Sequence, residues 1–122
     1  MIKNSRFVLM EHIIKNTSHY DIRFKVDKNK WESFAIIKGI PTENKKTLAV
    51  RTKIHKQASA LFTGKIKDGK ITRIDHGSCE VLKYGKRHIA IKFHGSQLEG
   101  LYHFINIKNK EDQYLFFKGK LK

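Results

Sequence analysis

The sequence predicts an all-β fold, a compact antiparallel β-barrel of about eight short strands. Three observations predict it. Apolar residues recur with period two in short runs, tight-turn residues separate the runs, and no stretch sustains a helical period. Successive strand side chains point to opposite faces, so an alternating run can bury one face and solvate the other. With 122 residues, 39% of them hydrophobic, the chain can fill one core without a disulfide framework, and residues 1–122 are read as one domain.

Along the chain, residues 13–18 read as a polar loop. The run from His19 to Val26 places Tyr20, Ile22, Phe24 and Val26 on one face and His19, Asp21 and Arg23 on the other. Trp31 and Phe34 follow, large rings expected to fill the barrel. Leu48, Val50 and Thr52 oppose Ala49, Arg51 and Lys53; residues 55–60 suit one helical turn. Asp68-Gly69 between two short apolar runs is a two-residue hairpin signal. Ile89, Ile91 and Phe93 oppose His88, Ala90 and Lys92, and Leu101, His103, Ile105 and Ile107 oppose Tyr102, Phe104 and Asn106. Turns are expected at Asp27-Lys28-Asn29, Lys38-Gly39, His76-Gly77, Tyr84-Gly85-Lys86, His94-Gly95 and Asn109-Lys110.

Charge narrows the partners. Lys and Arg total 26 against 11 acids, a formal net charge of +15, and such an excess recruits polyanions and releases their counterions. Nucleic acid is the foremost partner class, ahead of anionic membrane or acidic protein; solvation of the surface by lysine is the plainer reading of the same charge. Lys45, Lys46, Lys65 and Lys67 are candidates to track a phosphate backbone. The single cysteine, Cys79, excludes an internal disulfide and a Cys-rich zinc site. No apolar run is long enough for a transmembrane helix and no signal-peptide pattern opens the chain, so no membrane role and a cytoplasmic setting are expected.

The chemistry concentrates between His12 and Arg23, H-I-I-K-N-T-S-H-Y-D-I-R. Two imidazoles and a carboxylate make a mixed nitrogen and oxygen set suited to a divalent transition metal such as manganese, iron or zinc. Arg23, one pleat beyond Asp21, is placed to bind two oxygens of a phosphate resting there. Seven histidines in a basic chain also produce chance His-x-Asp pairs, which bridge strands on solvated faces. His76, His88, His94 and His103 fall outside the grouping and read as structural or solvated. Cys79 reads as a packed small residue rather than a nucleophile.

Longer motifs match in order. Phe7-Val8 precedes His12, then come His19-Tyr20-Asp21-Ile22-Arg23-Phe24-Lys25-Val26, Trp31, and Ser33-Phe34-Ala35-Ile36-Ile37-Lys38-Gly39. Leu48-Ala49-Val50 is followed by His55, Phe62 and Gly64; Asp75-His76-Gly77, the stretch from Lys92 to Gly100, and Tyr114-Leu115-Phe116-Phe117-Lys118 complete the series. In this the chain resembles the 3′-phosphoesterase domain of bacterial DNA ligase D, in the form of a stand-alone member.

The resemblance implies a compact β-barrel whose groove holds one manganese ion on His12, His19 and Asp21. It implies catalytic roles for Arg23 and His55, the latter as general acid or hydrogen-bond donor, and a place for Lys38 beside the phosphate. Arg51 joins Lys38 as a phosphate- or DNA-binding candidate, standing four positions after the Thr47 site where the family often carries a basic residue. The implied activity removes a 3′-terminal ribonucleotide and then the 3′-phosphate, leaving a hydroxyl. DNA 3′ ends are the expected partner, with a separate DNA ligase or polymerase downstream and a monomeric protein. The chain departs from the family at Thr47, at Lys53 in place of an acid, at Ser59 in place of a tyrosine, in a one-residue longer loop between His12 and His19, and in lacking a Gly-rich loop. These departures bear on step efficiency and substrate preference. The alternatives are a non-catalytic barrel that binds single-stranded nucleic acid and a protein-docking module.

Overall fold

The computed structural model describes residues 3–42 and 45–119. Its strands are β1 (Asn4–Ile14), β2 (Thr17–Asp27), β3 (Lys30–Ile36), β4 (Lys46–Arg51), β5 (Gly64–Ile66), β6 (Gly69–Tyr84), β7 (His88–His94), β8 (Glu99–Asn106) and β9 (Gln113–Lys118), with one short helix, α1 (Gln57–Ala60). The sheet order β1-β2-β3-β4-β9-β8-β7-β6 closes through antiparallel pairing of β1 with β6, and β5 is an added ribbon strand on β6. Eight strands in the closed ring are what period-two patterning predicts. No helix among the described residues is long and apolar enough to cross a membrane.

The barrel interior is filled by aromatic rings in contact. Phe34 lies 4.3 Å from Phe104, Phe104 4.5 Å from Phe116, Phe116 5.1 Å from Tyr102, and Phe7 4.9 Å from Phe93, centroid to centroid. Leu9, Ile22, Ile89 and Ile91 pack between them. Cys79 lies in this core, and burial followed by the nearby Glu80 pushes its thiol up to about 12. One end of the barrel is closed by polar groups: fully buried Glu32 accepts hydrogen bonds from Arg51 and Tyr84, and Arg51 also reaches Tyr114. Burial, then the hydrogen bond to Glu32, raises the Tyr84 phenol to about 12.

Four expectations need correction. Residues 13–18 are not a loop: β1 runs to Ile14, β2 begins at Thr17, and only Lys15-Asn16 turn, with Lys15 at φ 52°. His76-Gly77 is not a turn either; both residues lie inside the long β6. Gly77 is there for close approach, because a Cβ would stand 2.4 Å from the His94 carbonyl oxygen. The β5–β6 turn falls on Lys67-Asp68, one residue earlier than expected, so Gly69 is already in the strand. Finally, Trp31 is fully buried but outside the barrel, in a second cluster with Val8, Met10 and Ala60, whereas Phe34 fills the interior as expected.

Asp75 joins two distant motifs. Its carboxylate accepts backbone N–H bonds from His76, Ser96, Gln97 and Leu98 at 2.7–3.0 Å, plus the Ser96 hydroxyl. Gly95 permits this, since a Cβ there would lie 2.4 Å from Asp75 Oδ2 and 2.5 Å from the Phe7 ring. Burial alone would raise the carboxyl, but the donors from Leu98, Ser96, Gln97 and His76 outweigh it and hold the pKa below its ordinary 3.8. A depressed folded-state pKa contributes stability above the unfolded value, lost as pH falls through the folded one. Asp75→Ala is therefore expected to cost about 3 kcal/mol at neutral pH. In urea denaturation its gap to the wild type should narrow as pH drops below about 4; a gap constant with pH would contradict this account.

Candidate metal centre

The β1–β2 hairpin builds the centre. Because Lys15-Asn16 form the turn, the register pairs His12 with His19, Met10 with Asp21 and Val8 with Arg23. Alternation buries Leu9, Ile22 and Phe24 inside and turns His12, His19, Asp21 and Arg23 to the outer face. The ligand atoms of His12, His19 and Asp21 all lie within 4.8 Å of one another. His19 Nε2 stands 3.3 Å from Asp21 Oδ1, and His12 Nδ1 3.8 Å from Oδ2. Atoms bound to one ion at about 2.0–2.2 Å sit roughly 3 Å apart, so small side-chain shifts would bring this set to ligating distance.

One further observation fits a metal at the Nδ1 side of His12, whose other ring nitrogen, Nε2, is buried without a hydrogen-bond partner. The His12 pKa is lowered, first by burial and then by His19, against the pull of Asp21, which keeps the imidazole neutral and able to ligate. Arg23 Nε, Trp31 Nε1 and Ser33 Oγ are likewise buried and unpartnered, and register puts them on the same outer face.

A loop roofs this face. His55 exchanges both backbone hydrogen bonds with Trp31, at 2.8 and 2.9 Å, and α1 follows, seating Ala60 in the outer cluster. Arg23 pins the roof: Nη1 donates to the Ala60 carbonyl at 2.9 Å and the Ser59 carbonyl at 3.4 Å, while Nη2 donates to Asp21 at 3.2 Å. Arg23 thus uses both terminal nitrogens within the protein instead of presenting them as a phosphate clamp. The loop sets His55 within electrostatic reach of Arg23 and Asp21, with its Nδ1 2.9 Å from the Ser59 hydroxyl. Its pKa is lowered by burial, then by Arg23, partly offset by Asp21, so it too is neutral at neutral pH.

The other predicted residues divide. Lys38 is exposed, two residues past the end of β3; the Gly39 turn beside it, at φ 90°, comes close to the Tyr20 ring. Arg51 is not brought to the centre. It faces the barrel side with Phe34, its register partner, and is held by Glu32 and Tyr114, so it closes the barrel end where a phosphate contact was expected. Among the remaining histidines, His88 and His103 bond each other at 2.9 Å and His94 bonds Glu80 at 3.0 Å. The residue the sequence did not mark is Ser59, visible there only as a departure from a family tyrosine.

Replacing Arg23 by Met takes the guanidinium from buried Asp21 and the side-chain donor from the Ala60 carbonyl, while the Ser59 carbonyl keeps the Phe62 N–H. Loss of one partner from such a buried pair costs about 3 kcal/mol, so Arg23→Met should lower the urea midpoint and expose the 55–62 loop to proteolysis. An unchanged midpoint and cleavage pattern would show that the roof is held by other contacts.

No curated protein matches the chain. The profile of the DNA ligase D 3′-phosphoesterase domain matches residues 10–106, a span that includes His12, His19, Asp21, the α1 roof with His55 and the barrel strands from the second half of β1 through β8. The order of the motifs and most of the chain's length agree with one family, and the chain belongs to it: the DNA ligase D 3′-phosphoesterase domain family.

Proposed function

We propose that this protein is a manganese-dependent phosphoesterase that processes DNA 3′ ends, removing 3′-terminal ribonucleotides and 3′-phosphates to leave a 3′-hydroxyl for a ligase or polymerase. The observation that carries the reading is the convergence of His12, His19 and Asp21 within 4.8 Å under a loop that delivers a neutral His55. When bound there, the metal supplies Lewis-acid stabilisation of a phosphoryl oxygen.

The chain's own residues do the rest. Arg23 fixes the Asp21 carboxylate by a hydrogen bond and adds positive charge next to the phosphate. If the Ser59 hydroxyl donates to His55 Nδ1, the ring proton resides on Nε2, and His55 becomes a hydrogen-bond donor to the leaving oxygen. Lys38, exposed just beyond β3, adds to the positive field that draws the substrate. Arg51 takes no part in this scheme, being committed to Glu32.

The test is a primer–template ending in a 3′-phosphate or a single 3′ ribonucleotide, incubated with manganese and then with chelator. Metal-dependent conversion to a 3′-hydroxyl is expected. His19→Ala should abolish it, and His55→Ala should lower kcat by about 10²- to 10³-fold, with both variants retaining the wild-type circular dichroism. Tight DNA binding without product under several divalent metals would overturn the enzymatic reading in favour of a non-catalytic binding barrel.

A further inference from the structure

β6 changes partners along its outer edge. It pairs with β5 over residues 69–71 and with β7 over residues 78–84, which leaves Thr72 and Arg73 at an edge that no described strand covers. An open groove of about 460 Å³ lies there, lined by Thr63, Lys65, Lys70, Ile71, Thr72 and Arg73. It borders the metal centre at the open edge of β6: Ile71 and Arg73 share the outer face with His12, while alternation turns Lys65, Lys70 and Thr72 to the other face of the ribbon. Ile71 is the register partner of His12, and Gly64 is the partner of Ile71, so one row across the sheet runs His19, His12, Ile71, Gly64.

The groove's charges lack counterparts. Lys65 and Lys70 stand directly opposite each other across the ribbon, a like-charge juxtaposition that destabilises a sheet. Neither they nor Arg73 has an acidic partner within ion-pair distance among the described residues. Three unpaired cations and two threonine hydroxyls along an open channel suit a chain of phosphodiesters, which would relieve the repulsion and accept the hydroxyl bonds. We propose that this groove carries the phosphate backbone of the DNA whose 3′ end lies at His12, His19 and Asp21. The inference rests on the function proposed above and adds the path of the strand. The plainer role for such residues is to guard an exposed strand edge against pairing, which would leave DNA affinity indifferent to them.

The experiment measures anisotropy of a 5′-labelled primer–template ending in a 3′-hydroxyl, with chelator present, across a salt series. The groove variant is Lys65→Ala/Lys70→Ala/Arg73→Ala. The control removes the same charge from Lys86, Lys108 and Lys110, which line a separate hollow beside the β6–β7 and β8–β9 turns, at the opposite end of the barrel. The groove variant should bind at least about tenfold more weakly. It should also flatten the log–log salt slope by about 2.7, which is about 0.9 for each phosphate left without its cation. The control should change affinity by less than about threefold. If the triple variant melts early, Lys70→Gln alone carries the test, with a slope change near about 0.9. Equal weakening by groove and control variants, or wild-type binding by the groove variant, overturns the groove. The two readings fail separately. A wild type that converts DNA ends while the groove variant binds normally refutes only the groove. A wild type without hydrolysis whose groove variant loses binding selectively refutes only the phosphoesterase.

Discussion

The seam between β1 and β6 is the constraint on which the rest depends. Pairing along the whole of β1, from Asn4 to Ile14, turns an open sheet into a closed ring and abolishes two edges at once. Closure divides every barrel residue between an inside that must be packed and an outside that need not be. On β1 the inside receives Phe7 and Leu9 and the outside receives Val8, Met10 and His12. β6 must be unusually long to meet β1 and still reach β7. The register shift between Leu9 and Met10, where Ile74 has no opposite number, lets it bend while doing so.

The outer face then poses its own problem. Val8, Met10 and Trp31 are apolar and face out, so the chain between β4 and β5 folds back to cover them. That cover is fastened by Arg23, and in descending onto Trp31 it carries His55 toward Arg23 and Asp21. Hydrophobic shielding and assembly of the chemical centre are thus one event, with Asp21 tied to both through the same guanidinium.

Period two in the sequence told which residues share a face, and for Tyr20, Ile22, Phe24 and Val26 it also told which face turns in. It could not do so for Trp31, because both faces of β3 are buried and alternation does not distinguish a core from a roof. For the same reason the inward turn of Arg51 was hidden: its partner Glu32 lies nineteen positions away, and nothing local marks an ion pair closing a barrel end. The donor set was legible as residue types, yet its geometry depended on finding the turn at Lys15-Asn16. Ile13 and Ile14, flanked by polar residues, gave no sign that the strand continued. Gly77 was misread because a glycine needed for close approach looks, in one dimension, like a glycine needed for a bend. His55 could be placed only by likeness to a family, since its position follows from backbone bonds to Trp31 across a long separation.

Cys79 has a practical consequence. The chain's one thiol is sealed in the aromatic core with its pKa raised to about 12, so almost none is thiolate at neutral pH. A maleimide or spin label will therefore pass it by. A single cysteine introduced on the surface can be derivatised in the otherwise native background, and the motion of one chosen point followed without first engineering a cysteine-free protein.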